Sequence, residues 1–167
     1  NCQEVKRKVI VTPDVSAPVI TLYGGDPISV SVNKVFVDTF YSAWDDAEGN
    51  LTSQVMISGN LDVYQIGTYS RTYYVEDSKG NSDTKMRTMI VEDNAAPDVV
   101  MNGDNPMFVE ISTSFTDPGV TYSDNYWPLN KVSLGTTGLV DINKAGTYKI
   151  DYQVTDYSNN SQTVSRT

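Results

Sequence analysis

The chain has 167 residues and a formal net charge of −9, and it contains one cysteine and no histidine. This net negative charge argues against a nucleic-acid-binding protein and against a protein that adsorbs to anionic bilayers, because both need a basic surface. Without histidine the chain lacks the usual general base of a catalytic triad, and a single cysteine cannot form a disulfide within the chain. A hydrophobic content of 39% is ordinary for a folded protein.

Residues 1–16 are predicted to form an N-terminal tether or the remnant of a strand. Residues 5–12 have β propensity, and the segment 13–16 begins with a proline that breaks any strand. Cys2 is a candidate for lipidation, because bacterial lipoproteins carry their lipid on an N-terminal cysteine that precedes a polar tether. Asn1 stands before Cys2, so a free thiol is the alternative.

A repeat with a constant spacing of 79 residues runs through the rest of the chain. Ala17-Pro18 returns as Ala96-Pro97, and the stretch 67–81 returns as 146–160. A fixed register over many positions indicates two similar structural units. Further equivalent pairs are Gly24 and Gly103, Pro27 and Pro106, Phe36 and Phe115, Asp38 and Asp117, Asp45 and Asp124, and Arg87 and Arg166.

Alternating hydrophobic positions predict short β-strands and no helix. Several short antiparallel strands separated by turn residues predict an all-β chain of two tandem immunoglobulin-like β-sandwiches, at 17–93 and 94–167. In the first unit we expect strands near residues 18–23, 28–32, 35–37, 40–44, 53–58, 61–64, 68–76 and 83–92, with equivalents 79 residues later.

The repeated stretch predicts which side chains face the core. Tyr69, Arg71, Tyr73 and Val75 fall on one face at a period of two, as their equivalents do in the second unit. Tyrosine after Gly-Thr suits the residue that anchors a corner of immunoglobulin-like sandwiches, while the missing cysteine pair excludes the disulfide-bearing antibody type. Trp44 is predicted to lie in the core.

The two ends of the chain align with incomplete units. Residues 6–12 align with the last strand of a unit, 85–91, although a simple tether is an equal alternative. The final strand of the second unit is still running at Thr167, so we expect the native protein to continue into further domains.

Several motifs together resemble a known family. They are Ala-Pro at each unit start, Phe-x-Asp at 36–38, the acidic loop 45–52, and Gly-Thr-Tyr followed by the turn 77–81. The combination is similar to the bacterial immunoglobulin-like repeats found in tandem in surface proteins of Bacteroidetes and Firmicutes, which are related to hyalin-repeat modules. The resemblance implies a secreted or surface-anchored spacer or adhesive module and no enzyme. The second unit departs from it in loop 124–130 and at Asn159, where the family usually has glycine.

Acidic residues in one loop and near the junction of the two units are candidate calcium ligands. Calcium takes several oxygen ligands from carboxylates, amides and carbonyls. The alternative is solvated surface charge, with aspartate and asparagine serving turns, since no Asp-x-Asp-x-Asp-Gly spacing is present. The candidates are Asp45 and Asp46 in the loop and Glu92, Asp93 and Asp98 at the junction.

Tyr126 and Trp127, in a loop before Pro128, are candidate ligand-binding residues. Exposed aromatic side chains stack on sugar rings and anchor interfaces. The alternative is that Trp127 closes one end of the sandwich or the unit junction.

No catalytic residue is predicted. Two carboxylates such as Asp38 and Asp45 would suffice for a glycosidase, but Asp38 recurs as Asp117 at the repeat spacing. A catalytic pair would not be duplicated in each small sandwich, whereas a turn-forming aspartate would be.

The sequence therefore predicts a non-catalytic extracellular module of a bacterial cell-surface protein, acting as a spacer, stalk or adhesion element. Its expected partners are other surface proteins or glycans, and it would contact a membrane only through a lipid on Cys2. Two alternatives stay open: a glycan- or protein-binding module that uses the loop aromatics, and accessory domains of a larger secreted enzyme.

Overall fold

The computed structural model describes residues 7–167, which form short β-strands joined by loops and turns. The helical elements in this range are two 3₁₀ turns, Thr52–Gln54 and Leu129–Lys131. None of the helices in the described range has the length and apolar character needed to cross a membrane. The prediction of an all-β chain is confirmed.

The described chain divides into two compact units. The first contains the chain up to Val30 together with Val35–Asp62 and Gly67–Val91. The second contains Glu92–Thr167 and two short segments, Ser31–Lys34 and Val63–Ile66. The boundary expected between residues 93 and 94 stays a prediction.

The first unit is a sandwich of two sheets. Ile20 and Ala43 of one sheet form a buried cluster with Tyr73 and Val75 of the other, so the sheets pack face to face. One sheet has the order β1 (Val19–Leu22), β3 (Tyr41–Asp45), β4 (Gly49–Asn50), and the other has the order β2 (Ile28–Ser31), β7 (Ser82–Glu92), β6 (Gly67–Glu76), β5 (Met56–Ser58).

The second unit repeats this immunoglobulin-like design with a shorter hairpin at its end. Its buried hydrophobic residues include Val132, Ile150, Tyr152 and Val154. Its sheets are β8 (Asp98–Met101) paired with β9 (Val120–Ser123), and β10 (Ser133–Thr137), β11 (Ile150–Thr155), β12 (Ser161–Arg166) in that order.

The hairpin at the end of each unit forms as the sequence predicts. On β6 the inward face carries Tyr73 and Val75, which are fully buried. In the turn that follows, the Asp77 N–H donates to the carbonyl of Asn81 at 2.9 Å, and the equivalent bond in the second unit is 3.0 Å long. The hydroxyl of Tyr148 donates to the carbonyl of Lys144 at 2.8 Å, which confirms a tyrosine corner in the second unit.

Some of the predicted strands are wrong. A strand needs a neighbouring edge for its backbone groups, and β propensity alone does not provide one. Val35 and Val37 are 92% and 68% exposed, which shows that no sheet covers them. The segments 35–37, 61–64, 107–111, 114–116 and 140–143 form no strand, nor do residues 7–12 of the proposed N-terminal strand.

The core assignment of Trp44 is also wrong, because this side chain is 60% exposed. Side chains alternate along β3, and Ala43 and Asp45 are the inward neighbours, at 2% and 1% exposure. The small alanine fits against the opposite sheet, so the large indole lies on the outer face.

Candidate functional site

Three aspartates meet at one place in each unit. In each group, one carboxylate oxygen from every residue lies within 4.8 Å of the other two. The two groups correspond residue by residue at the repeat spacing of 79. The first cluster is Asp14, Asp45 and Asp77, and the second cluster is Asp93, Asp124 and Asp156.

Strand ends position these side chains. In the first cluster Asp45 is the last residue of β3, and Asp77 directly follows β6. Asp14 comes from the segment before β1, so the cluster joins three separate parts of the chain. Aspartate is favoured at such positions because its side chain accepts hydrogen bonds from the backbone of the following turn.

The central aspartate of each cluster uses one oxygen to hold its loop. Oδ1 of Asp45 accepts hydrogen bonds from the N–H groups of Ala47 and Glu48, both at 2.9 Å. In the second unit Oδ1 of Asp124 accepts from the equivalent N–H groups, those of Tyr126 and Trp127, at 2.9 and 2.7 Å. The loop sequences differ between the units, yet the carboxylate is held in the same way.

The other oxygen of four of these carboxylates is buried without a partner. These atoms are Oδ2 of Asp14, Asp45, Asp93 and Asp124. Within the described chain, no lysine or arginine forms an ion pair with either cluster. A buried carboxylate oxygen that is neither hydrogen-bonded nor paired is unfavourable, so both clusters hold concentrated, uncompensated negative charge.

The third aspartate of each cluster is held by the turn asparagine. Asp77 accepts from the backbone N–H of Asn81 at 2.9 Å and from its side-chain amide at 2.7 Å. Although burial acts to raise it, these hydrogen bonds hold the pKa of Asp77 below its ordinary value. In the second cluster burial, with the charges of Asp124 and Asp156, raises the pKa of Asp93.

The structure places two of the five predicted calcium ligands in the clusters and three outside them. Asp45 lies in the first cluster and Asp93 in the second. Asp46, Glu92 and Asp98 are exposed and outside both clusters. Four cluster members were missed as ligands, although the 79-residue spacing that pairs Asp14 with Asp93 was a usable signal.

The loop aromatics of the second unit contact each other and their surroundings. The Trp127 ring lies edge-on to those of Tyr126 and Tyr157, with both centroid distances 5.0 Å. The Trp127 indole N–H donates to Oγ of Ser158 at 2.8 Å. The Tyr126 hydroxyl accepts from the N–H of Ile66, a residue of the same unit, at 3.3 Å. Both side chains are partly buried.

The residue equivalent to Trp127 in the first unit also forms a hydrogen bond to the hairpin turn. Glu48 occupies the equivalent position, and its carboxylate accepts from the N–H of Ser78 at 3.0 Å. Both side chains therefore connect the loop after the central aspartate to the hairpin turn of their own unit.

Asp38 and its equivalent Asp117 belong to a repeated hydrogen-bond network, whereas Asp45 lies in the first cluster. Asp38 accepts from the hydroxyl of Tyr73 and forms an ion pair with Arg71 at 3.5 Å. Asp117 accepts from the hydroxyl of Tyr152 at 2.6 Å. The same pairing in both units matches the structural role expected from the repeat.

An apolar cavity of about 480 Å³ opens in the second unit, beside Phe108, Ile111 and Tyr148. In the first unit the equivalent tyrosine, Tyr69, pairs with Met89 on β7, and Met89 is fully buried.

Cys2, the candidate for lipidation, lies outside the described residues. Lipid attachment at this position stays a prediction.

Comparison with known proteins identifies relatives among much longer chains. The chain is 31% identical over 134 residues to an uncharacterized 81.3 kDa protein of Acholeplasma phage L2, a match that covers 75% of this chain and 18% of the relative. It is 29% identical over 135 residues to the pesticidal crystal protein Cry22Aa of Bacillus thuringiensis, covering 78% of this chain and 18% of that protein. The chain thus spans less than a fifth of these curated relatives.

Among solved structures, a lipoprotein of Bacteroides thetaiotaomicron matches with 18% identity and a TM-score of 0.41, covering 88% of this chain and 77% of that one. The model of the family described as bacterial surface protein, Ig-like domain, matches residues 20–91 and again residues 99–167. The two matched segments correspond to the two β-sandwiches, which repeat the same polar and apolar framework. The chain therefore belongs to this family of bacterial surface Ig-like domains and contains two copies of the domain.

Proposed function

We propose that this chain is a non-catalytic, extracellular part of a bacterial surface protein, and that it spaces or presents other parts of that protein. The observation that carries the proposal is the duplication of the whole polar framework at one spacing. Asp38, Tyr73 and Arg87 in the first unit correspond to Asp117, Tyr152 and Arg166 in the second. Duplication of a complete framework is expected for stacked structural modules and not for a catalytic site.

A replacement experiment tests this role. In the parent surface protein, residues 17–167 are exchanged for an unrelated pair of immunoglobulin-like domains of matched length, and separately for a short flexible linker. Surface display is measured by protease treatment of intact cells, and exposure of the neighbouring domain by antibody binding. We expect the matched exchange to preserve both signals and the short linker to reduce antibody binding.

The opposite result would identify a specific binding surface. If the matched exchange leaves the protein displayed but abolishes attachment to a glycan or protein, spacing is not the function of this chain.

A glycan-binding role is the second candidate, and the aromatic group around Trp127 is the observation in its favour. Tyr157 is 62% exposed, and its ring lies next to the indole of Trp127. The Lys131 ammonium lies 4.6 Å from the centroid of the Tyr157 ring. A glycan array with the intact chain and with Tyr157→Ala tests it. Binding that is lost in this variant would support the role, while equal signals from both proteins would refute it.

A further inference from the structure

We propose that each unit binds one calcium ion through its three-aspartate cluster. This inference goes beyond the role proposed above and does not depend on it. The first cluster would bind one ion, and the second cluster would bind another with the same set of donors.

The donor atoms are already grouped at a suitable distance. Two oxygens bound to one calcium ion at 2.3–2.6 Å can be at most about 5 Å apart. The three carboxylate oxygens of each cluster lie within 4.8 Å of one another. Three atoms within 4.8 Å of one another lie no more than about 2.8 Å from a common centre, so an ion placed there needs only small side-chain movements to contact all three carboxylates.

The buried, unpartnered oxygens are the observation that distinguishes these clusters from ordinary turn aspartates. Asp45 and Asp93 are only 1% and 6% exposed, and Oδ2 of each has no hydrogen-bond partner. A turn requires only the Oδ1 atoms, which accept the backbone bonds. Buried carboxylate oxygens are normally satisfied, and a bound cation would satisfy them here.

The chemistry of the donors selects a hard cation. All six cluster residues offer carboxylate oxygen, and the chain contains no histidine. Oxygen-only donors suit calcium and magnesium, whereas zinc and copper prefer sites with nitrogen or sulfur. Calcium tolerates irregular geometry and is completed by waters or carbonyls, while magnesium demands a near-ideal octahedron at 2.0–2.1 Å.

Thermal unfolding of the intact chain provides the first measurement. The protein is stripped of metal with EGTA and studied in 150 mM sodium chloride, where screening between exposed charges is already strong. Extracellular calcium modules have dissociation constants of about 0.1–1 mM. At 10 mM calcium chloride we therefore expect the midpoint to rise by about 5 °C or more, and to keep rising with the logarithm of the calcium concentration. Magnesium chloride and extra sodium chloride at equal ionic strength should have much smaller effects.

Stoichiometry measured by equilibrium dialysis with radioactive calcium gives the sharper test. Asp45→Asn and Asp124→Asn keep the Oδ1 acceptor of the loop but remove the charge from one cluster each. We expect two ions per chain for the natural protein, one for either variant and none for the double variant. Asp46→Asn and Asp98→Asn change exposed aspartates outside the clusters, and both should still bind two.

Circular dichroism in EGTA checks that the variants fold, and Asp14→Asn provides a second variant of the first cluster. Without metal, removal of one of three neighbouring charges should leave the midpoint equal or higher. The proposal is overturned if the natural protein binds no calcium at 10 mM, if sodium chloride reproduces the shift, or if the double variant binds two ions. Any of these outcomes would leave the proposed spacer role untouched.

Discussion

A buried arginine holds each sandwich together at the level of single residues. Arg87 is 2% exposed and donates to the carbonyls of Tyr23 at 2.6 Å and Phe40 at 3.2 Å. Its equivalent Arg166 is also 2% exposed and donates to the carbonyls of Asn102 and Gly119. Each guanidinium thus links two loop carbonyls, and one of the two in each unit, that of Phe40 or Gly119, also accepts from a backbone N–H.

We expect Arg87→Met to lower the free energy of unfolding by about 3 kcal/mol, because the carbonyl of Tyr23 loses its charged donor and that of Phe40 keeps only a backbone N–H. Lys85→Met on the same strand is the control, since Lys85 is exposed and, among the described residues, forms an ion pair with Asp83 at 3.5 Å. That change should cost less than about 1 kcal/mol. Urea unfolding of both variants measures the difference, and equal costs would contradict this role for Arg87.

The tyrosine beside this arginine makes stability depend on alkaline pH. Burial, reinforced by the hydrogen bond and charge of Asp38, raises the pKa of Tyr73 to about 12 from an ordinary value of 10. The raised pKa means that the folded state retains the proton longer than the unfolded state. The resulting stabilisation is complete below pH 10 and is lost as the pH rises from 10 towards 12.

Tyr73→Phe removes this titrating group and should therefore make unfolding less sensitive to pH in that window. At pH 8 we expect the variant to be less stable by about 2 kcal/mol, because Asp38 loses a donor to its charged group. The difference should shrink between pH 10 and 11.5 in urea unfolding experiments. A difference that stays constant across this range would show that Tyr73 does not titrate as described.

Turn geometry is the decisive feature at the level of elements. Gly59, directly after β5, has φ +99°, and a Cβ there would lie 2.3 Å from the carbonyl oxygen of Ser70. Its equivalent Gly138 has φ +103° and a corresponding approach of 2.1 Å to Lys149. Backbone atoms in a strand cannot move aside, so these positions require glycine.

Gly59→Ala should consequently destabilise the protein by more than about 2 kcal/mol, since the clash adds to the backbone strain. Gly80→Ala separates the two effects, because Gly80 has φ +87° but no atom within 4 Å of the new Cβ. It should cost about 1 kcal/mol. The unfolding midpoints of both variants test this order, and a larger loss at Gly80 would reverse the argument.

The sequence predicts these elements well where a local rule applies. Strand alternation placed Tyr73 and Val75 inward, as observed. The departure at Asn159 is also explained locally: Asn159 has φ +70° where its equivalent Gly80 has φ +87°, and asparagine tolerates this conformation better than most residues. Trp44 was misplaced because its hydrophobicity suggested burial, whereas the alternation of β3 and the space against the opposite sheet decided the outcome.

At the scale of the whole molecule, basic side chains are few and some of them do not lie on the surface. The formal charge is −9 with twelve lysines and arginines, and two of these, Arg87 and Arg166, are buried. Other basic side chains lie beside carboxylates, as Lys149 does beside Asp151 at 2.8 Å. Few basic groups are therefore available for an acidic partner.

We accordingly expect the chain to bind neither duplex DNA nor vesicles rich in anionic lipid at pH 7.4 and low salt. Gel-shift and vesicle-sedimentation experiments measure this, with a basic protein as the positive control. Binding that weakens as salt is added would reveal an organised basic surface and contradict the expectation.

The sequence by itself determined the repeat, the family, the all-β class and the inward faces of the main strands, because a 79-residue spacing and a two-residue alternation are properties of the chain. Only the tertiary structure decided which aspartates meet. Asp14, Asp45 and Asp77 are far apart in sequence and converge because their strands and loops end at one place in the unit. Sheet order, strand length and loop path set that convergence, and these depend on pairing between distant segments that no local pattern encodes.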